Sequence, residues 1–216
     1  MSDGRWMEVA AYVEEQYRRS KAEQTWDPVF TADYRWEHTL RVAHYGRLIA
    51  EAEGVDSEVA LAACLLHDIA YFSSADQESW DDHGRAGATI SRAPLEAAGY
   101  SEVEVATIAH AIAVHVDGVS GDDLPHTLLD DVVSDADNVD RFSAVRVVAW
   151  CMTERDDLLR LSEMLGERLA RLRVYQGKNP LETRTGRDLF AKQVQLQIAF
   201  FEALVHDAEI TRLPQL

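Results

Sequence analysis

Apolar residues recur at helical spacing along nearly the whole of this chain, and this periodicity constrains its fold more than any other feature. No stretch alternates apolar and polar residues for long enough to predict a strand. The pattern therefore predicts an all-α fold, a bundle of helices. The predicted helices cover about residues 6–19, 34–53, 56–69, 82–98, 102–116, 127–142, 144–173 as one helix or two, and 185–208.

Several of these helices carry end signals. Gly54 follows the second helix, and Asp56 can cap the start of the third. Ser101, with Glu104 three residues later, makes the pattern of a capping box. Gly, Pro, Asp and Asn collect in three segments that are predicted to be loops, residues 74–82, 116–125 and 175–184.

Length and charge narrow the class of protein. The chain has 216 residues, which suits one domain whose core needs no structural metal or disulfide. Its 38 acidic and 21 basic residues give a net charge of -17, which disfavours nucleic acid polymers and anionic membranes as partners. An anionic substrate would need a local positive group, and a bound metal ion would supply one.

The sequence also predicts where the protein resides. No apolar run approaches the roughly 20 residues of a membrane span, and the opening residues are too charged for a secretory signal. Cys64 and Cys151 lie in apolar helical surroundings, as small core residues of a reducing compartment do. A cytoplasmic protein is therefore expected.

Four polar residues stand on or beside the apolar stripes of the predicted helices. His38 is in register with the apolar face of the second helix, and the adjacent pair His67 and Asp68 follows the apolar run of the third. Asp137 stands at the edge of a later stripe. Each could be satisfied by separate hydrogen bonds in the core. As a set they must neutralise one another or share a cation, and two nitrogens with two carboxylates suit a divalent transition metal ion.

These residues occur in the segments WEHTLRV, ACLLHDIAY and SDADNVDRF, and a further segment reads IAHAIAVH. Their order and spacing resemble the HD-domain metal-dependent phosphohydrolase superfamily, in particular its small bacterial and archaeal members, whose signature is H…HD…D on a helical bundle. The resemblance extends from about residue 30 to residue 208. It implies a single HD domain over residues 1–216, with its core at 34–142 and additional helices at both ends.

The resemblance also implies a set of metal ligands, His38, His67, Asp68 and Asp137. Asp68 would in addition contact the attacking water. The ion could be Mn, Mg, Fe, Ni, Co or Zn, and one ion per chain is favoured over two.

Three further histidines are candidates for catalysis or binding. His110 and His115 are five residues apart, about 140° round a helix, so both cannot face one point. The resemblance implies that at least one lines the phosphate pocket, where it could protonate the leaving oxygen or bind a phosphate; each could instead be a core residue. His83, at the start of a predicted helix, could help to hold an anion. All three are also available for a second metal ion, whereas His44, His126 and His206 are expected at the surface or in packing.

Two arginines are candidates for binding a substrate phosphate. Arg41 follows His38 by three residues, and Arg85 follows His83. Either could instead hold a neighbouring carboxylate. Asn138 stands where related proteins often have an arginine, so a cation is missing there, and Arg141 one turn later could replace it.

The chemistry that fits this pattern is hydrolysis by a metal-activated water, without a covalent nucleophile. The substrate class is a nucleotide or another small phosphate ester or anhydride, with a nucleoside triphosphate split to monophosphate and pyrophosphate preferred. The alternative is a metal- or ligand-binding sensor, or an interaction protein, with little turnover. The long helices after residue 143 could pack a second subunit into a homodimer or could cover the core of one chain.

Overall fold

The computed structural model describes residues 4–27, 30–74, 77–121, 123–152 and 158–210. Within these ranges all regular structure is helical, which confirms the all-α prediction. The helices are α1 (Trp6–Glu23), α2 (Ala32–Glu53), α3 (Ser57–Leu66), α4 (Ile69–Ser73), α5 (Gln77–Asp81), α6 (His83–Ala97), α7 (Glu102–Val114), α8 (Leu128–Arg141), α9 (Ala144–Cys151), α10 (Leu158–Gly177) and α11 (Arg184–Ile210).

The end signals in the sequence act as predicted. Gly54 ends α2 in the left-handed conformation, at φ 79°. The Asp56 carboxylate accepts from Glu58 N at 2.8 Å and caps α3. At α7, Glu104 N donates to Ser101 Oγ at 3.3 Å while Ser101 N donates to Glu104 Oε2 at 2.7 Å, which completes the capping box.

Some predicted boundaries are wrong. The third helix was expected to continue to residue 69, but α3 ends at Leu66 and the chain turns at His67 and Asp68 before α4. The segment 74–82 was expected to be a loop, yet it contains α5. Trp80 of α5 stacks on Trp26, with ring centroids 5.8 Å apart. This aromatic contact between distant segments stabilises a short helix that local composition does not indicate.

The segment 144–173 forms two helices, α9 and α10, and the residues between Met152 and Leu158 lie outside the described part of the chain. The loop predicted at 175–184 is shorter than expected, because α10 extends to Gly177. Asp135 of α8 fastens this loop, since its carboxylate accepts from Glu182 N at 3.1 Å and from Thr183 N at 2.8 Å.

The helices enclose two apolar clusters. The first lies among α1, α2, α3, α6, α7 and α8 and includes Ile49, Leu66 and Ile112. The second lies where the end of α8 meets α9, α10 and α11. Tyr45 of α2 and Leu189 of α11 contact both clusters. Because α2 packs against both α3 and α8, residues from three separate parts of the sequence come together near its N-terminal half.

No described helix is long and apolar enough to cross a membrane. Both cysteines are free thiols, with Cys64 buried in the first apolar cluster.

Candidate metal centre

Side chains from three parts of the chain meet around Nε2 of His38. Nε2 of His38 lies 3.3 Å from Nε2 of His67, 3.6 Å from Asp68 Oδ2 and 3.3 Å from Asp137 Oδ1. His38 comes from α2, the pair His67 and Asp68 from the turn between α3 and α4, and Asp137 from α8. All four are buried. The turn that shortens α3 is therefore what presents two adjacent residues to the same centre.

The ring orientation of His38 and His67 is set by their other nitrogen. His67 Nδ1 lies 2.7 Å from the carbonyl oxygen of Cys64, which can only accept, so Nδ1 carries the proton and Nε2 presents its lone pair to the centre. His38 Nδ1 lies 2.7 Å from Asp140 Oδ2. A carboxylate or carbonyl behind a histidine in this way fixes the tautomer that a metal ion requires.

A second group of possible ligands adjoins the first and shares Asp68. Asp68 Oδ2 faces His38 and His67, whereas Oδ1 lies 3.6 Å from His83 Nε2. His115 completes the group, and its Nδ1 lies 2.6 Å from Ile112 O, so its Nε2 is also left as an acceptor. The two carboxylate oxygens of Asp68 thus point to two different sets of histidines.

The donor set fits a divalent cation. Ligand atoms of His38, His67 and Asp68 all lie within 4.8 Å of one another, and so do those of Asp68, His83 and His115. Neutral imidazole nitrogens and carboxylate oxygens are typical ligands of Mn, Fe, Co, Ni and Zn. Acceptors packed this closely in a buried place repel one another unless a positive charge lies between them.

The pKa values of the centre's residues also indicate that positive charge is stabilised there. Burial opposes the protonated form of His38, but its hydrogen bonds to Asp137 and Asp140 outweigh burial and raise its pKa to about 9. Burial lowers the pKa of His67. Burial also opposes the charged form of Asp68, yet the neighbouring His67 and Arg35 lower its pKa well below the usual range. A proton on His38 thus supplies positive charge that a bound metal ion would replace.

A pocket opens above the centre, with a volume of about 190 Å³. His38, Asp68 and Asp137 form its buried floor, while the Arg141 side chain is 54% exposed at its mouth. The complete lining is Tyr34, Arg35, His38, Asp68, Tyr71, His83, Val116, Asp137, Arg141 and Arg146.

The sequence model of the HD domain matches residues 35–141 of the chain, a range that contains all four residues of the centre. The chain carries an HD domain. The match begins on α2 and ends with α8, so α1 and the helices from α9 onward lie outside it.

Two solved structures share this HD fold. One is a predicted HD superfamily hydrolase from an uncultured Thermotogales bacterium, with TM-score 0.66 and 22% identity over 94% of this chain and 93% of that one. The other is a Lactobacillus plantarum protein, with TM-score 0.58 and 18% identity over 96% of this chain and 97% of that one. Both likenesses include the helices outside the HD match. No curated protein sequence matches the chain.

Among the histidines singled out from the sequence, the HD fold brings His83 and His115 to the centre. His83 lines the pocket from the first position of α6, and its ring centroid lies 5.3 Å from that of His115. His110 is buried elsewhere on α7, with Nε2 3.6 Å from Asp130 Oδ2, and it does not line the pocket. The angular argument for separating His110 from His115 therefore holds. His44 and His206 are exposed, and so is His126.

The arginines expected at the substrate lie elsewhere. Arg41 donates from Nε to Asp140 Oδ1 at 2.6 Å, and Arg85 pairs with Asp82 and Asp117; neither lines the pocket. Both therefore hold carboxylates, the alternative left open for them. Asn138 donates to Ser134 O within α8, at 2.9 Å.

Arg35 occupies the place expected of Arg41. Its guanidinium donates to Asp68 Oδ2 at 3.0 Å and lies 3.8 Å from the ring centroid of Tyr71. Arg35 and Arg41 stand three residues before and after His38, so spacing alone does not separate them. Helical side chains lean toward the N-terminus, and the pocket opens at that end of α2, which favours Arg35.

Sequence reasoning also missed Asp140 as the support of His38, and it missed Tyr34, Tyr71 and Arg146 as pocket residues. Asp140 follows Asp137 by three residues, a spacing that places both on one helix face and could have indicated its role. Arg146 lies on α9, outside the HD match, where no signature applies.

Proposed function

We propose that this protein is a metal-dependent phosphohydrolase that cleaves a nucleotide or another small phosphate ester or anhydride. One observation carries the proposal: Nε2 of His38 and of His67 meet two buried carboxylates at the floor of an open pocket. The match to the HD domain supports it. The description of the Thermotogales protein as a predicted HD superfamily hydrolase agrees with it.

In this proposal His38, His67, Asp68 and Asp137 hold one divalent ion, Mn, Mg, Fe, Ni, Co or Zn. When bound, such an ion supplies a water that is acidic enough to lose a proton near neutral pH, and it polarises a phosphoryl oxygen. His83 and His115 would hold a second ion through the other oxygen of Asp68 if the centre takes two. A metal count on the purified protein separates these two cases.

The chain's own residues then position the reactants. Asp68 lies at the junction of the two ligand groups, where its carboxylate can orient the attacking water. Arg35 can donate to the phosphoryl oxygens, since its planar group already sits at the pocket floor between Asp68 and Tyr71. With one ion, His83 Nε2 is left as an acceptor, because Nδ1 lies 3.1 Å from the carbonyl oxygen of Trp80 and so carries the proton, and Nε2 can accept a hydrogen bond from the attacking water.

The preferred substrate is a nucleoside triphosphate, split to a monophosphate and pyrophosphate. Positive side chains at the floor and mouth of the pocket favour an anion with several charges. The net charge of -17 disfavours a polymer such as RNA in the same pocket.

The first prediction concerns turnover. Purified protein with Mn, Mg, Ni, Co or Fe is screened against nucleotides and phosphate esters for release of phosphate or pyrophosphate. His67→Ala and Asp68→Ala should each lower the rate at least about 100-fold, because even outer-shell partners of a metal site are worth 10- to 100-fold.

His44→Ala is the matched control, since His44 is exposed on the same α2 that carries His38. It should keep the wild-type rate. Hydrolysis that persists undiminished in His67→Ala would place the activity at another site. Substrate binding without turnover across the whole screen would instead indicate a ligand-binding protein.

A further inference from the structure

The size of the pocket limits how much of a substrate can lie inside it. Its volume of about 190 Å³ is only a little above the ~150 Å³ cavity that holds one benzene molecule. A phosphoryl group and its water fill most of this space. The remainder of any larger substrate must therefore extend from the centre toward solvent, along the part of the pocket lined by Tyr34, Arg141 and Arg146.

Arg146 in this part of the pocket is held in place by aromatic residues. Its guanidinium donates to the hydroxyl of Tyr34 at 2.8 Å and lies 4.5 Å from the ring centroid of Phe30. Phe30 and Tyr34 in turn contact each other, with ring centroids 5.2 Å apart. The side chain is half-buried, so its charge is partly removed from water while its orientation is set.

No carboxylate of the described residues forms an ion pair with Arg146. Many other arginines of the described residues do pair with a carboxylate. Arginines with carboxylate partners include Arg5, Arg18, Arg19, Arg35, Arg41, Arg47, Arg85 and Arg173. Arg146 thus keeps its capacity to bind an anion.

Arg141 adds a second cation beside the centre. It stands one turn after Asp137 on α8, and its Nη1 lies 3.7 Å from Asp137 Oδ2. Both arginines also act on Arg168 of α10: burial lowers the pKa of Arg168 to about 10, assisted by the positive charges of Arg171, Arg146 and Arg141. Arg141 and Arg146 are therefore close enough to the same buried arginine to act on its ionisation, and both line the pocket.

We propose that Arg141 and Arg146 form a second phosphate subsite, so that the substrate carries at least two directly linked phosphates, one over the metal centre and the next at the mouth. This inference rests on the proposed function and narrows it to phosphoanhydrides. Arg141 lies immediately beside a residue of the centre, which fits the next phosphate of a chain better than a phosphate at the far end of a sugar. Tyr34 aligns the Arg146 guanidinium for bidentate binding.

The second prediction compares two phosphonates that the enzyme cannot hydrolyse, methylphosphonate and methylenediphosphonate. Each is titrated into the protein and its binding is measured by calorimetry. Mg²⁺ is kept in excess over the anion so that the anion does not remove the metal ion from the site. The wild type should bind the diphosphonate at least about tenfold more tightly than the monophosphonate, because charge-assisted hydrogen bonds to the second phosphonate are added. Arg146→Gln should lose most of this ratio.

Arg47→Gln is the matched control, since it removes the same charge from an exposed pair with Glu51 on α2. It should keep the wild-type ratio, and Arg146→Lys should restore part of it. Arg141→Gln gives an independent test, because its exposed side chain can be changed with little risk to folding. It should lower the ratio as well.

Equal affinity of the wild type for the two phosphonates would overturn the inference. The inference would also be overturned if Arg146→Gln and Arg47→Gln showed the same ratio of affinity for the diphosphonate to affinity for the monophosphonate. Because binding is measured without turnover, the outcome is separate from that of the hydrolysis screen. Hydrolysis with no diphosphonate preference would leave the phosphohydrolase proposal in place and remove only the second subsite.

Discussion

At the scale of single residues, the support of His38 distinguishes this centre from a chance meeting of polar groups. The Asp140 carboxylate makes two hydrogen bonds: Oδ2 lies 2.7 Å from His38 Nδ1, and Oδ1 accepts from Arg41 Nε at 2.6 Å. Arg41 thus fixes the position of the Asp140 carboxylate, which in turn fixes the orientation of the His38 ring. Residues placed in this way are known to govern metal affinity without contacting the metal.

The third prediction tests this role. Asp140→Asn keeps the shape of the side chain but removes the charge that orients His38 and binds Arg41. The affinity for Mn²⁺, measured by calorimetry, should fall about 10- to 100-fold. Arg41→Gln should have a smaller effect, because Asp140 still accepts from His38.

Asp131→Asn is its matched control on the same helix, because Asp131 also pairs with a histidine, His126 Nε2 at 2.8 Å, but does so at the surface. It should bind Mn²⁺ as the wild type does. If Asp140→Asn binds Mn²⁺ as tightly as Asp131→Asn, His38 needs no support from Asp140.

The residues that meet at the centre could be predicted because their types and spacing form a signature. The signature specifies His38, His67, Asp68 and Asp137. The structure places ligand atoms of His38, His67 and Asp68 within 4.8 Å of one another, and it places Asp137 Oδ1 3.3 Å from His38 Nε2. The arginines could not be assigned in the same way. An arginine on the correct helix can face a substrate or a neighbouring carboxylate, and only the tertiary structure shows that Arg35 faces the pocket while Arg41 does not.

At the scale of elements, the close approach of α6 and α7 positions His83 over the centre. A Cβ on Gly84 would lie 2.8 Å from the carbonyl oxygen of Ala113 and 3.3 Å from that of Ile112. Both neighbours are backbone atoms of α7 and cannot rotate away. Gly84 therefore permits a helix contact that any larger residue would push apart.

The fourth prediction follows from this contact. Gly84→Ala should lower the free energy of unfolding by about 1 to 3 kcal/mol, because the added methyl group overpacks the interface. Urea denaturation measures the change. Gly166→Ala in α10 is the control, because nothing lies within 4 Å of its Cβ; it should raise the free energy of unfolding by ~0.5 to 1 kcal/mol. A Gly84→Ala protein as stable as the wild type would show that α6 has room to move.

Helix ends were predictable where the signal is local. Asp56, Ser101 and Gly54 act within one turn of their own position, so sequence is sufficient to assign them. The turn at His67 and α5 could not be predicted, because both depend on partners far away in the sequence. Trp80 of α5, for example, meets Trp26 across the fold.

At the scale of the whole molecule, the HD core is continuous with helices outside the family match. Arg5, just before α1, pairs with Glu58 of α3 and Glu104 of α7, each at 2.9 Å. At the other end, α9 supplies Arg146 to the pocket mouth. The all-α class followed from periodicity alone, whereas the contribution of α9 to the pocket could not be predicted, since a periodic pattern does not show which helices meet.

The fifth prediction concerns the central claim, that the four converging side chains form a metal site. Mn²⁺ is titrated by calorimetry into metal-free wild-type protein and into metal-free His67→Ala, with circular dichroism confirming that both are helical. The wild type should bind at least one Mn²⁺ per chain, and His67→Ala should lose that binding at the same concentrations. A wild type that binds no Mn²⁺, or a His67→Ala protein that binds it equally well, would contradict the account.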